Sequence, residues 1–162
     1  MKVMIKNFFI LLIISILPVN AFALIEVDIT RGNLNPLPLA VSPLSIDNKS
    51  KKSFEKILKK ENIGIEISII VENNLRTSGL FNPLSKDAFL QAPDIANLKP
   101  RFEDWNLIKA QALITGKVTY VNEKLRVEFR LWDILAAKEI MALAFTTVPS
   151  NWRRVGHIIS DK

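Results

Sequence analysis

Apolar residues spaced four apart predict the longest helix of this chain. They are Ile63, Ile67, Val71 and Leu75, and they share one helix face. The β-branched run over 68–71 would suit a strand, but the length of the pattern and the Ser78-Gly79 pair that follows it favour a helix. We therefore expect a helix that begins near residue 63 and ends near Thr77.

Weaker helical periodicity predicts three shorter helices. The residues that carry it are Phe54, Ile57 and Leu58 in the first helix, Phe102, Trp105, Ile108 and Ala112 in the second, and Trp152, Val155 and Ile159 in the third. The second helix should span roughly Glu103 to Gln111. Ser150 is the expected N-cap of the third helix, because its hydroxyl can accept a hydrogen bond from the first turn.

Prolines divide the stretches between these helices. Residues 91–100 should form a loop, because Pro93 and Pro100 interrupt any regular structure there. Leu80 and Phe81 follow the end of the long helix and are expected to return to the core.

Alternation of apolar and polar residues predicts the strands. A short strand covers Leu24–Thr30, and a second, Leu39–Val41, lies between two prolines. Three longer strands, 113–121, 124–133 and 138–147, should follow one another as a meander. In the middle strand of the three, Leu125, Val127, Phe129 and Leu131 face one way, and Arg126, Glu128, Arg130 and Trp132 face the other.

The first residues of the chain have the order of a secretory signal peptide. Lys2 and Lys6 precede an apolar run, 8–17. Ala21 and Ala23 then occupy the positions that a signal peptidase reads. The run is shorter than the roughly 20 residues that span a bilayer, which disfavours an uncleaved anchor. We expect cleavage after Ala23, with residues 1–23 removed and 24–162 forming one domain outside the cytoplasm.

Composition excludes several kinds of chemistry. The chain has 22 Lys and Arg against 16 Asp and Glu, and loss of the two signal lysines leaves residues 24–162 with a net charge of +4. The chain contains no cysteine, which excludes thiol catalysis, disulfides and cysteine–metal sites. The sequence also lacks the glycine-rich phosphate-binding motifs and the serine hydrolase motif.

Few side chains could carry catalysis. His157 is the one histidine of the sequence, and no nucleophile or acid lies at motif spacing from it. Glu26 and Asp28 could pair around a metal or act as acid and base, but on a short strand they are more simply its solvated face. We predict no catalytic, cofactor-binding or metal-binding residue.

Tryptophan and lysine residues offer possible binding surfaces. Trp105 and Trp152 lie on apolar helix faces, which favours core packing, whereas Trp132 lies on the polar face of its strand, where either a helix covers it or it belongs to an interface. The segment 45–61 is rich in lysine, which favours a solvated surface. A nucleic-acid or membrane patch is the alternative, although no aromatic residues are interleaved with the lysines.

Five stretches of the chain carry a family resemblance. They are VDITRGNLNPLPLAV (27–41), NNLRTSGLFNPL (73–84), FEDWNLIKAQALITGKV (102–118), LRVEFRLWDI (125–134) and NWRRVGHIISDK (151–162). In this order they resemble the TolB N-terminal domain family, from the Tol–Pal system of Gram-negative bacteria. The resemblance implies an α/β fold with a mixed β-sheet flanked by helices, similar in architecture to the anticodon-binding domains of some tRNA synthetases. Asn74 departs from the family, where an acidic residue is expected, and this difference should affect only the helix surface.

The resemblance also implies a partner and a compartment. In this family the mature N-terminal segment engages TolA, an inner-membrane protein, in the periplasm. The matching residues here are Leu24, Ile25, Glu26, Val27, Asp28, Ile29, Thr30, Arg31, Gly32 and Asn33. An extended strand can add to the sheet edge of a partner, although the same strand could instead complete the sheet of its own domain.

A second departure concerns the C-terminal β-propeller that carries the family's contacts to Pal, the peptidoglycan-associated lipoprotein. No blade-like repeat occurs in this sequence. We therefore expect a truncated form that lacks Pal binding.

The resemblance implies a non-catalytic interaction module linked to outer-membrane integrity and invagination during cell division. Two other kinds of function remain as alternatives. One is an independent periplasmic enzyme or small-ligand carrier with the same fold, for which the sequence offers only scattered carboxylates. The other is a nucleic-acid-binding domain, which the export signal disfavours and which fold similarity alone does not support. We expect neither a nucleic acid nor a small-molecule substrate as partner.

Overall fold

The computed structural model describes residues 35–162. The predicted signal peptide and the predicted strand over 24–30 lie outside these residues.

A mixed sheet of six strands forms the centre of the described part. The strands are β1 (Leu37–Val41), β2 (Ser45–Ile46), β3 (Phe81–Pro83), β4 (Ala112–Val121), β5 (Lys124–Asp133) and β6 (Lys138–Thr147). Their order is β3-β1-β4-β5-β6, and β2 also pairs with β4. Strand β1 runs parallel to β3 and β4, whereas β4, β5 and β6 are antiparallel.

Helices flank this sheet, which confirms the predicted fold class. They are α1 (Asn48–Leu58), α2 (Ile63–Thr77), α3 (Pro93–Leu98), α4 (Phe102–Leu107) and α5 (Trp152–Ser160). Single turns of 3₁₀ helix cover Lys86–Ala88 and Pro149–Asn151.

The three-strand meander confirms the alternation in the sequence. Strands β4 and β5 pair over their whole length, and Asn122 and Glu123 form the two-residue turn between them. Both turn residues have positive φ, 48° and 60°, which matches the right-handed twist of a hairpin. Four apolar side chains of β5 reach the same side of the sheet, as the alternation predicted: Leu125, Val127, Phe129 and Leu131.

The main core lies between that side of the sheet and α1, α2 and α5. The four residues predicted to share a face of α2 are all buried in it, and the helix has the predicted bounds. Gly79 follows the helix with φ 73°, a conformation that suits glycine. Apolar residues of β1, β4 and β5 supply the opposite wall of this core.

A second, smaller core lies on the other side of the sheet, under α4. Its buried residues are Ala40, Trp105, Ala110, Leu113, Trp132 and Ile134. Phe102 of α4 packs edge-on against the ring of Trp132, with ring centroids 5.9 Å apart. A helix therefore covers Trp132, which settles the choice left open by the sequence.

The loop predicted over 91–100 is wrong, because it contains α3. Pro93 occupies the first turn of this helix, where its missing N–H costs nothing. The helix predicted over 103–111 is too long, because Lys109 has φ 65° and Ala112 already begins β4.

The predicted start of the last helix is also wrong. A 3₁₀ turn precedes α5, the cap position is Asn151, and the Ser150 side chain makes no capping bond. Leu80, which was expected to return to the core, is instead 56 % exposed, whereas Phe81 packs against the main core. Ile57, which shares helical spacing with the buried Phe54, is 47 % exposed.

Candidate interaction surfaces

The predicted partner-binding segment, Leu24 to Asn33, lies outside residues 35–162. The carboxylates of Glu26 and Asp28 belong to the same segment. The role of these residues therefore stays a prediction.

His157 lies in a polar contact between two helices. The amide Nδ2 of Asn74 on α2 is 2.8 Å from His157 Nδ1 and donates to Ser160 Oγ at 2.7 Å. These bonds join α2 to α5, so the expectation that Asn74 affects only the helix surface is wrong. The imidazole therefore takes part in a contact that holds two helices together.

The described part of the chain has neither a cluster of metal ligands nor a membrane-spanning helix. Across residues 35–162, no group of three or more His, Cys, Asp or Glu side chains could hold a metal ion. None of the helices described there is both long and apolar enough to cross a bilayer.

The three tryptophans belong to the cores. Trp105 and Trp152 are buried, as their helical spacing predicted. The indole N–H of Trp105 donates to Gln91 Oε1 at 2.9 Å, and that of Trp132 donates to Thr115 Oγ1 at 2.9 Å. With their N–H groups bonded inside the protein, Trp105 and Trp132 serve the fold rather than a ligand.

The first open surface is the outer edge of β6. Within residues 35–162 this strand pairs only with β5, so one row of its backbone groups has no strand partner there. The stretch 140–147 has no charged residue and no proline, although these are the usual protections of an edge strand. A groove beside it is lined by Phe145, Thr146, Thr147, Asn151, Arg154, Val155 and Ile158.

The second open surface is the outer face of α1. Ser50 and Phe54 are buried on the inner face of the helix. Four exposed lysines follow one another at spacings of three, four and three residues, which places them on the opposite face. We call Lys49, Lys52, Lys56 and Lys59 the lysine stripe.

The cap of α1 fixes this helix to the sheet. The carboxylate of Asp47 accepts hydrogen bonds from the Ser50 backbone N–H at 2.9 Å and from its hydroxyl at 2.8 Å. These bonds, chiefly the backbone one, hold the pKa of Asp47 below its usual 3.8. Ser50 Oγ in turn accepts from the backbone N–H of Tyr120 in β4 at 2.8 Å, so the cap also positions the helix.

A half-buried carboxylate ties α2 to the segment after β3. Glu72 forms ion pairs of 2.8 Å with Arg76 and with Lys86. Burial by itself would raise the pKa of Glu72, but the hydrogen bonds from Lys86 and Arg76 outweigh it and hold the pKa below the usual 4.5. This arrangement is a structural clamp between two surface elements.

Both open surfaces had signals in the sequence. The edge of β6 corresponds to the charge-free stretch 140–147, and the lysine stripe corresponds to helical spacing within a lysine-rich segment. What the sequence did not contain was the position of β6 at the end of the sheet, which depends on the order of the strands.

Comparisons with known proteins give a consistent result. Residues 25–140 match the model of the TolB amino-terminal domain family. The chain is 80 % identical over 159 residues to the Tol-Pal system protein TolB of Pelagibacter ubique (strain HTCC1062), an alignment that covers 98 % of this chain and 35 % of that relative. The chain thus spans 35 % of the length of the curated relative it matches.

A solved structure shows the same fold. The crystal structure of TolB from Acinetobacter baumannii aligns with a TM-score of 0.57 and 21 % identity. The alignment covers 78 % of this chain and 27 % of that one. At this level of identity the likeness concerns the fold alone.

Proposed function

The chain belongs to the TolB amino-terminal domain family, and from this membership we propose that it is a non-catalytic protein-interaction module of the Tol–Pal system. It works in the periplasm and contributes to outer-membrane integrity and to invagination during division. The observation that carries the proposal is the match of residues 25–140 to the family, which includes most of the predicted partner-binding segment.

The proposed partner is a TolA-like inner-membrane protein, and the proposed contact is the segment 24–33. Apolar and polar residues alternate over 24–30, so an extended chain would present one apolar and one polar face. Such a strand can add to the open sheet edge of a partner through backbone hydrogen bonds, while the side chains supply specificity. Cleavage after Ala23 would leave this segment at a free N-terminus.

We assign no Pal contact to residues 24–162. The resemblance places those contacts on propeller blades, and no blade-like repeat occurs within these residues. His157 lies against Asn74 in the contact between α2 and α5, which supports a structural role for this histidine.

A binding experiment tests the proposed contact. The exported chain and a variant that lacks residues 24–33 are compared for binding to the purified C-terminal domain of the TolA-like protein from the same organism. We expect the exported chain to bind and the deletion variant to lose binding. Equal binding by both forms, or binding by neither, would refute the assignment of this segment.

A substitution pair makes the same test without shortening the chain. Replacing Ile25, Val27 and Ile29 by serine removes the apolar face, and replacing Arg31 by serine gives a control in the same segment. Loss of binding in the triple variant alone supports strand addition. The intact mass of the exported protein checks the compartment, because cleavage after Ala23 leaves a chain that begins at Leu24.

A further inference from the structure

Positive charge in this protein is concentrated on one helix. Residues 48–61 contain six lysines and two glutamates, whereas the rest of residues 35–162 contains thirteen Lys and Arg and twelve Asp and Glu. Almost all of the net charge of the described part therefore lies on α1 and the turn that follows it. A charge so localised creates a field on one side of the protein only.

The lysine stripe is free of internal partners in the described part of the chain. Its four lysines are exposed, and none of them forms an ion pair within residues 35–162. Lys60 differs, because its Nζ lies 2.9 Å from Glu66 Oε1. Like charges three and four residues apart repel one another in a helix, so the stripe weakens α1 unless something outside the protein compensates.

Exposed apolar side chains lie beside the stripe. Ile65 and Ile69, on the outer face of α2, are 40 % and 42 % exposed. They line a shallow concavity together with Lys59 and Lys60 and with the acidic side chains Glu61 and Glu66. Lysines next to exposed isoleucines are typical of surfaces that rest on a lipid headgroup layer.

We propose that the lysine stripe binds the surface of a membrane that contains anionic phospholipid. Lysine carries a compact charge on a flexible side chain. Such a charge suits the diffuse negative charge of a lipid surface better than it suits a partner that requires a fixed binding geometry. The four stripe lysines are all exposed on the outer face of α1, so a broad surface can reach them. Glu55 and Glu61, which lie beside the stripe, limit the attraction and keep it reversible.

Vesicle sedimentation tests this surface. The exported chain is mixed with vesicles of phosphatidylcholine that contain about 30 % anionic phosphatidylglycerol and, separately, with vesicles of pure phosphatidylcholine. We expect binding to the anionic vesicles only, and we expect high salt to abolish it, because salt screens exposed charges. Equal binding to both kinds of vesicle, or to neither, would overturn the proposal.

Matched variants separate the stripe from net charge. In the stripe variant, Lys49, Lys52, Lys56 and Lys59 are replaced by glutamine. In the control, the exposed lysines Lys99, Lys124, Lys138 and Lys162 are replaced instead, so both proteins lose the same charge. Each lysine near an anionic surface contributes about a fivefold change in partitioning, so the stripe variant should lose about two orders of magnitude or more.

The control should bind to within a few-fold of the unmodified chain, and arginine at the four stripe positions should restore binding. Equal losses in the two variants would show that only net charge matters and would overturn the proposal. So would tight binding of the chain to RNA or to an acidic protein that anionic vesicles fail to displace. Circular dichroism confirms that each variant is folded.

Discussion

Replacing Gln91 by leucine tests how the second core is held together. Gln91 is only 4 % exposed, and its side-chain oxygen accepts from Trp105 Nε1 at 2.9 Å and from the Arg101 backbone N–H at 3.0 Å. Its amide nitrogen donates to the Lys99 carbonyl at 3.4 Å. One side chain therefore joins the start of the 91–100 segment to its end and to α4.

The expected cost follows from the groups that lose a partner. The Trp105 side chain is 1 % exposed, so its indole N–H would be left without an acceptor in the core. A buried donor without a partner costs about 1–3 kcal/mol, whereas the Arg101 N–H lies nearer to solvent and costs less. Leucine offsets part of this lost stability, because it buries more apolar surface than glutamine does. We expect the free energy of unfolding to fall by about 2–3 kcal/mol.

Urea unfolding followed by tryptophan fluorescence and circular dichroism measures this change. Gln111→Leu is the matched control, because Gln111 is exposed and its side chain makes no hydrogen bond within residues 35–162. The control should stay within about 0.5 kcal/mol of the unmodified protein. If Gln91→Leu is no less stable than Gln111→Leu, the Trp105 indole does not depend on Gln91 and the reasoning is wrong.

Three further predictions concern the helices. A Cβ at Gly156 would lie 2.8 Å from Ile70 Cγ2, so Gly156→Val should destabilise the protein by about 2–3 kcal/mol in urea unfolding. Adding Ile70→Ala should restore part of the lost stability, because it removes the clashing side chain. If the destabilisations of the two substitutions simply add, the contact is contradicted. Asp47→Ala should cost about 1–2 kcal/mol, because the N-cap of α1 is lost, while Asp47→Asn should retain most of the stability in the same assay. The lowered pKa of Glu72 means that its contribution is present above about pH 4.5 and is lost as the pH falls through the folded pKa. Unfolding measured across this range should therefore be less pH-dependent in Glu72→Gln, and an unchanged pH profile would show that the clamp contributes nothing.

The sequence by itself determined the elements whose signal is local. The stride of four in α2 and the alternation in β5 are properties of a short stretch of chain, and the backbone geometry of helix and strand converts them directly into a buried face. The family resemblance also came from local stretches of sequence, and the match of residues 25–140 to the TolB amino-terminal domain family confirmed it. The exposure of the lysine-rich segment was also predicted, whereas the stripe was defined only once α1 was described.

The tertiary structure decided which elements meet. Trp132 stands on the polar face of its strand, yet it is buried, because α4 lies over that part of the sheet. Asn74 looked like a surface residue, yet it bridges α2 and α5, which lie far apart in sequence. The helix within 91–100 is short and lacks a periodic apolar face, and the side chain of Gln91 holds the ends of its segment together. These outcomes depend on contacts between distant parts of the chain, whereas a periodic pattern records only which face of an element is apolar.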